Sequence, residues 1–274
     1  MNNQITNTNN LNEKLKTLKE IIAAHEKVCI AFSGGVDSTL LLKVATDIAG
    51  VEVLPILADG AMMPRSEFKE ALEIAQSMGV EAKVIEANIF VVPQFAKNDQ
   101  DRCYHCKKFL FGQIQKAALD AGFTTILDGS NLDDDKDYRP GIRALGELGI
   151  LSPLKMAQLT KDDIRNLSAH YRLKTAKKPA MACLATRIPT DSPITPHALQ
   201  MVEAGEEILK SFNLKQYRLR LIGKMAKIEC DPEDFDTILK NRSILTTKLK
   251  NLGFHSITLD LSGYQQGKMN TTRS

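Results

Sequence analysis

Ser33-Gly34-Gly35-Val36-Asp37-Ser38 follows directly on the apolar run Val28-Cys29-Ile30-Ala31-Phe32, and these types in this order can build an anion cradle. Gly34 and Gly35 let the backbone bend with no Cβ in the way and turn N–H groups toward a bound oxyanion. A helix beginning near Ser38 adds the positive end of its dipole, and Ser33, Ser38 and Thr39 add hydroxyl donors. Ala31 and Phe32, the last residues of the apolar run, belong to the same cradle. The Gly-Lys-Ser/Thr ending of the common kinase and GTPase loop is missing, which excludes that loop. Asp37 beside phosphates is costly unless it holds Mg²⁺ or orients a donor. The chemistry expected here is the binding of a polyphosphate.

Sulfur supplies the second set of reactive groups. Cys103-Tyr104-His105-Cys106 puts two thiols on one turn at metal-ligand spacing, and Cys183 follows in Cys183-Leu184-Ala185-Thr186-Arg187. Structural zinc wants four closed ligands, and only three thiols are candidates. Three thiolates on a four-iron cluster leave one iron open. A [4Fe-4S] cluster on Cys103, Cys106 and Cys183 is the first reading; a zinc or disulfide pair and cluster-free thiol chemistry stay open. In the last case Cys183 reacts, its thiolate favoured by Arg187, Lys177 and Lys178. Cys29 reads as a small buried hydrophobe, and Cys230 has no assigned role.

These groups need a scaffold. Leu11 to His25 reads as a helix with Leu11, Leu15, Leu18 and Ile22 on one face, after an Asn/Thr-rich, disordered start. Strands are expected over residues 28–32, 51–58, 80–85 and 124–127, alternating with helices over residues 38–49, 66–78 and 106–121. That alternation implies an α/β fold, a parallel sheet with helices on both faces, and ligands beyond the carboxyl ends of its strands. Asp59 and the run Asp128-Gly129-Ser130-Asn131 fall at such ends. Gly129 and Asn131 are expected in the nucleotide wall and Asp59 against the adenosine. Asp133 to Asp137 reads as a solvated acidic loop, and Thr160 as an N-cap with Asp162 and Asp163 in the first turn. Residues 174–193 read as a functional loop. A helix over 195–212, strands over 217–222 and 225–229, a helical stretch over 232–252 and a strand over 255–261 make a small C-terminal α+β unit. The boundary is placed at residue 190, giving domains 1–190 and 191–274.

Arg218 and Arg220 alternate along a strand and so share a face that can clamp a phosphate, with Glu206 on the preceding helix to orient them. Arg187 can bind a phosphate or carboxylate bidentately. The 274 residues carry a net charge of only +3, too little to argue for nucleic acid. No apolar run reaches membrane-spanning length and no export signal is visible, so a cytoplasmic protein with no membrane partner is expected.

Several blocks together resemble the LarE family of PP-loop sulfur transferases: Ser33 to Ser38, Arg102 to Lys107, Asp128 to Asn131, Arg139-Pro140-Gly141, Cys183 to Pro189, and Leu259-Asp260-Leu261-Ser262-Gly263-Tyr264. They run in order over nearly the whole chain. The resemblance implies the PP-loop ATP pyrophosphatase (adenine nucleotide alpha hydrolase-like) fold, with ATP and Mg²⁺ at the Ser-Gly-Gly-x-Asp-Ser loop. It implies adenylation of a carboxylate of pyridinium-3,5-biscarboxylic acid mononucleotide, then displacement of AMP by sulfur, in nickel-pincer nucleotide cofactor biosynthesis. Members divide into a kind that sacrifices a cysteine sulfur at the position of Cys183 and a kind with three cysteines on a [4Fe-4S] cluster; Cys103, Cys106 and Cys183 match the second. Asp37 and Arg187 count with those thiols as catalytic, and Arg187, Glu206, Arg218 and Arg220 as substrate-binding. A separate sulfur donor and a homo-oligomer are further expectations. A tRNA thiolase needs a broader basic surface, an NAD or GMP synthetase-type amidating ligase has no use for three cysteines, and a nucleotide-binding regulator would have lost the chemistry.

Overall fold

Val28, Cys29 and Ile30 are wholly buried, as a strand covered on both faces requires. The structure, a computed structural model, describes residues 2–136, 140–179 and 183–265. It divides into two units, one of residues 1–60, 65–92 and 103–181, the other of residues 61–64, 93–102 and 182–274. The first unit opens with α1 (Asn2–Ala23), β1 (Lys27–Ala31), α2 (Val36–Thr46), β2 (Glu52–Asp59), α3 (Arg65–Ser77) and β3 (Lys83–Glu86). After α4 (Pro93–Lys97), which belongs to the second unit, come α5 (Arg102–Leu119), β4 (Thr125–Leu127), α6 (Pro140–Glu147), α7 (Pro153–Met156) and α8 (Lys161–His170). The four strands form one parallel sheet in the order β3-β2-β1-β4. Ala31 pairs with Ile56 and Ile30 with Leu127, so β1 stands at the centre with its carboxyl end between two neighbours. This is the α/β class the alternation implies.

One hydrophobic cluster gathers Cys29 and Ile56 from the strands with Phe111, Ile114 and Ala118 of α5, and with Phe123, Ile126, Leu145 and Ile150. Leu40, Leu41, Leu42 and Val44 of α2 are fully buried, as are Leu18 and Ile22 of α1. Two expectations are corrected. The Asn/Thr-rich start is helical from Asn2, because weak helix formers continue a nucleated helix at one hydrogen bond per residue. The cysteine-bearing helix starts at Arg102, one turn early, and takes in Cys103.

The second unit holds α9 (Pro196–Lys210), β5 (Tyr217–Ile222), β6 (Met225–Cys230), α10 (Phe235–Lys240), α11 (Arg242–Asn251) and β7 (Ser256–Leu259). Its sheet runs β5-β6-β7, antiparallel in the first pair and parallel in the second. Thr195 caps α9 by accepting from the Ala198 N–H, with Pro196 at the first helical position. The expected helix over 232–252 breaks at Asn241 into α10 and α11. Among the described residues no helix is long and apolar enough to cross a membrane.

Thr160 and Asp163 form a reciprocal capping box at α8, the Asp163 N–H reaching Thr160 Oγ1 at 3.2 Å and the Thr160 N–H reaching Asp163 Oδ2 at 3.0 Å. Burial opposes charge on Asp163, but bonds from Lys14 and from Thr160 outweigh it and hold the carboxyl below its usual range. Thr160→Ala removes the cap that starts the helix carrying Lys161. We expect a loss of about 1 kcal/mol in urea unfolding, largely restored by Thr160→Ser; equal stability of all three proteins would refute the role.

Candidate active site

Beyond Ala31 the chain stays in the sheet for one more residue, the Phe32 N–H donating to Ile56 O at 2.9 Å, and then turns. Gly34 has φ +70°, and a Cβ there would lie 2.7 Å from Ala71 Cβ and 2.9 Å from Ala71 Cα. Both the backbone angle and the approach of α3 therefore demand glycine. Gly35 is the extended residue before α2, and no side chain caps the helix, so its first N–H groups face the loop. Ser33 Oγ and Ser38 Oγ stand 3.1 Å apart, with the Gly35 N–H 3.4 Å from Ser33 Oγ. Thr39 is 1% exposed, and its hydroxyl lacks a hydrogen-bond partner among the described residues. A buried hydroxyl left unsatisfied costs about 1–3 kcal/mol, a cost that an arriving acceptor relieves.

The end of β4 closes the same loop. A Cβ on Gly129 would lie 3.1 Å from the Ser38 N and 3.3 Å from Asp37 Cβ, so Gly129 sits against the start of α2. Asn131, 2% exposed, donates from Nδ2 to Asp37 Oδ1 at 3.4 Å. Lys161 Nζ lies 2.5 Å from Asp37 Oδ2. Asp37, expected to hold Mg²⁺ or orient a donor, thus has a lysine partner whose one signal in the sequence is its place directly after the Thr160 cap. The acidic loop is structural rather than merely solvated: Asp133 accepts from the Lys161 N–H at 2.7 Å and Asp134 from the Asn131 N–H at 3.0 Å. Asp128 accepts from the Ser130 and Ser152 hydroxyls. Lys178, expected from the sequence only as a cation favouring the Cys183 thiolate, bonds Glu67 at 2.6 Å and Glu70 at 2.8 Å and lies 3.5 Å from Gly34 O, tying α3 to the loop. Asp59 ends β2 in an ion pair with Arg65, which also donates to Gly60 O at 3.0 Å. Arg139 and Asp137 lie outside the described residues.

Cys103 and Cys106 sit three apart on the first turn of α5, the former exposed and the latter half-buried. The helix is held there on one side: Tyr104 donates to Glu147 at 2.7 Å, and Lys108 reaches both. Cys183, exposed, belongs to the second unit and precedes a 3₁₀ turn over Leu184–Arg187. That turn is anchored by the Leu184 N–H on Met62 O and by Arg102, which donates to Ala185 O at 3.3 Å and to Asn98. Asn98, wholly buried at φ +59°, gives both amide protons to Pro189 O and Ser192 O at 2.7 Å. Burial pushes the Cys29 thiol up to about 12, Lys83 opposing, and burial with Asp234 and Asp231 pushes Cys230 up to about 11. Among the described residues, no group of three or more His, Cys, Asp or Glu side chains is assembled to hold a metal ion.

The four charged residues expected to bind substrate do meet within the second unit. Arg187, 3% exposed, is gripped bidentately by Glu206 at 2.7 and 3.1 Å. Glu206 Oε1 also accepts from the Leu219 N–H of β5. Arg220 pairs with the fully buried Glu229 at 3.0 Å and donates to Thr186 O at 2.8 Å. Thr186, missed from sequence, receives Arg187 on its hydroxyl at 3.0 Å and donates to Cys183 O at 2.7 Å, so Cys183 is one residue's width from the cluster. Arg218 lies over the Tyr264 ring at 5.0 Å. Burial and the Arg187 cation lower its pKa, against Tyr264 and Glu206.

A parallel sheet whose central strand runs through Ser-Gly-Gly-x-Asp-Ser into a helix N-terminus defines an α/β enzyme of the PP-loop ATP pyrophosphatase class. No protein-family model matches the chain. It is 37% identical over 262 residues to an uncharacterized protein of Synechocystis sp., covering 95% of this chain and 98% of that one. It is 31% identical over 260 residues to the pyridinium-3,5-bisthiocarboxylic acid mononucleotide synthase of Lactiplantibacillus plantarum, covering 94% of each. One component of the glutamine-hydrolyzing GMP synthase of Archaeoglobus fulgidus is 22% identical over 236 residues, 80% of this chain and 77% of that one. The chain belongs to the LarE family.

Two outcomes test this geometry. Gly34→Ala must take a left-handed backbone against Ala71, costing about 1–3 kcal/mol, and should abolish ATP binding in calorimetry; unchanged stability and affinity would sink the cradle. Iodoacetamide at pH 8 followed by peptide mass spectrometry should label Cys103 and Cys183 while Cys29 and Cys230 stay unmodified. A thiol at about 12 is ionised there only to roughly one part in ten thousand. Early labelling of Cys29 would contradict its burial.

Proposed function

We propose that this chain is an ATP-dependent sulfurtransferase that converts a carboxylate of pyridinium-3,5-biscarboxylic acid mononucleotide into a thiocarboxylate, in nickel-pincer nucleotide cofactor biosynthesis. The observation that carries it is the 31% identity to the synthase over 94% of both chains. Mg·ATP is the co-substrate. In this reading the Gly34 and Gly35 backbone, the start of α2 and the Ser33, Ser38 and Thr39 hydroxyls hold the β,γ-pyrophosphate. Ala31, Phe32, Gly129 and Asn131 wall the nucleotide, and Asp59 meets the adenosine. Asp37 and Lys161 form an internal ion pair that the charge of Mg·ATP rearranges.

The substrate carboxylate attacks the α-phosphorus, and the bond to the pyrophosphate oxygen breaks. A carboxylate is a poor electrophile; the acyl adenylate is a good one, because AMP leaves with the electron pair. Fixed donors stabilise the departing charge without reorganisation. Sulfur then bonds the acyl carbon as the carbon–oxygen bond to AMP breaks. Arg187, Arg218 and Arg220 bind the substrate phosphate, with Glu206 holding Arg187. We read residues 1–190 as the nucleotide-activating domain and residues 191–274 as the substrate and oligomerisation domain.

The donor set supports a cluster as the sulfur source in this reading. Cys103, Cys106 and Cys183 carry accessible thiols, soft ligands of the kind an iron–sulfur cluster needs, while buried Cys29 and Cys230 do not. They are the residues that would hold a [4Fe-4S] cluster, which supplies reduced sulfur at an iron without a protein ligand. Thiols rather than disulfides throughout also suit a reducing cytoplasm. Amidation of the GMP synthase kind would leave the three thiols idle.

The test is anaerobic turnover of the mononucleotide with ATP, following pyrophosphate and thiocarboxylate together. Wild type should yield both, Asp37→Asn should lose about 10²–10³ in rate, and Cys183→Ala should release pyrophosphate but form no thiocarboxylate. Reconstituted protein that turns over repeatedly with sulfide, and loses this in Cys103→Ala, supports the cluster. A single turnover in which the Cys183 sulfur ends in the thiocarboxylate, leaving dehydroalanine at residue 183, replaces it with the sacrificial route. No pyrophosphate release with the mononucleotide would overturn the reading.

A further inference from the structure

Asn98 has so far no task, yet all of its polar groups are engaged. It follows α4 at φ +59°, a left-handed backbone that Asn adopts more readily than most residues with a Cβ. Its side chain is wholly buried. Nδ2 donates one proton to Pro189 O and the other to Ser192 O, both at 2.7 Å, and Oδ1 accepts from Arg102. The backbone takes part as well. The Asn98 N–H donates to Phe95 O at 3.1 Å, and Asn98 O accepts from the Asp191 N–H at 2.9 Å.

The chain it grips has little regular structure of its own. Residues 183–194 join Cys183 to the Thr195 cap of α9 through the 3₁₀ turn over Leu184–Arg187 and then irregular backbone. Pro189 O also accepts from the Ser192 N–H at 3.1 Å, closing a tight turn with Asp191 at φ +65°. The Ile194 N–H donates to Ala96 O at 2.8 Å, and Arg102 reaches Ala185 O at 3.3 Å. Residues 96–102 therefore hold the loop on both sides, in sequence, of the buried Arg187.

Two demands meet at Asn98. The backbone admits Gly, Asn or Asp most readily. Two donors and an acceptor on one short side chain require a primary amide. Glycine has no amide, and aspartate would turn oxygen toward two carbonyl oxygens. Asn alone satisfies both.

We propose that Asn98 is a positioning residue of sulfur transfer: its carboxamide clasps the loop that carries Cys183 and Arg187, so that thiol and guanidinium keep one spacing while the acyl adenylate waits. This rests on the reading of Cys183 as a sulfur-step residue and of Arg187 as a substrate residue. Asn98 acts through the loop backbone. A displacement of about 1 Å at a reacting group is enough to slow a bond-forming step severely. A loosened loop lets water hydrolyse the acyl adenylate before sulfur reaches it.

The test is anaerobic turnover by the reconstituted full chain with ATP and the mononucleotide, measuring thiocarboxylate formed per pyrophosphate released. Asn98→Gly keeps the left-handed backbone and removes the amide, and Asn98→Asp keeps the size and removes the donors. In both, that ratio should fall about tenfold, with ATP affinity in calorimetry as in wild type. A merely structural role would lower both products together. A ratio equal to that of wild type overturns the proposal, whether or not the rates fall. In case neither variant folds, hydrogen exchange on wild type gives a second measure. The Asp191 and Ile194 amides should exchange about a hundredfold slower than in an unstructured peptide, and exchange at the peptide rate overturns the clasp. Wild type that releases no pyrophosphate with the mononucleotide sinks the reading beneath and this role with it. Wild type that yields both products, with the ratio unmoved in the variants, sinks this role alone.

Discussion

A carboxylate inside an anion-binding loop is the constraint around which the first unit is arranged. Asp37 stands on the first turn of α2, where the helix dipole favours negative charge but where phosphate must also come. The fold answers with Lys161 at 2.5 Å from Asp37 Oδ2, and with Asn131 on the other oxygen. Even at 4 Å one unit charge on another is worth about 1–4 kcal/mol in surroundings between water and a protein surface, and this pair is closer. The lysine is itself badly placed for its own helix, since it opens α8, where a cation opposes the dipole. Asp133 on its backbone N–H, Asp163 in the capping box and Asp37 on its ammonium compensate.

The second requirement is closeness. Backbone segments approach the loop more nearly than side chains would allow: Gly34 against Ala71, and Gly129 against Ser38. Both approaches come from the neighbours of β1 in a parallel sheet, and this is why the topology matters more than any one contact. In the order β3-β2-β1-β4 the carboxyl ends of β2 and β4 flank that of β1, so α3 and the β4 loop reach the glycine turn from opposite sides. Lys178, bonded to Glu67 and Glu70 and beside Gly34 O, fastens one side; Asp128 with Ser130 and Ser152 stiffens the other.

What the sequence disclosed follows the range of each interaction. The strands and the glycine turn were legible because burial on both faces and the switch from strand to helix are local patterns, visible in Val28 to Ser38. The Thr160 cap was legible for the same reason. The Asp37–Lys161 pair was not: 124 positions separate its partners, and nothing near either names the other. Thr186 was hidden because its contribution is a carbonyl and a hydroxyl, offered to Arg220 and Arg187 only once β5 is laid down. The helical start at Asn2 was missed because Asn and Thr have weak propensity, and α7 because a Pro-led run of four residues is shorter than an amphipathic period.

The arginine pairs of the second unit carry a different lesson. Arg187 and Glu206, and Arg220 and Glu229, are taken almost wholly out of water. Desolvating two such ions costs several kcal/mol each, and their attraction rarely returns more than that; apolar side chains of like size would serve the core as well or better. Stability therefore does not account for them. Fixed direction does: each carboxylate holds a guanidinium plane in one orientation, and Thr186 bonds both arginines while its own hydroxyl reaches Cys183 O. The cost of burying charge is thus spent on holding two guanidinium planes fixed against the turn that follows Cys183.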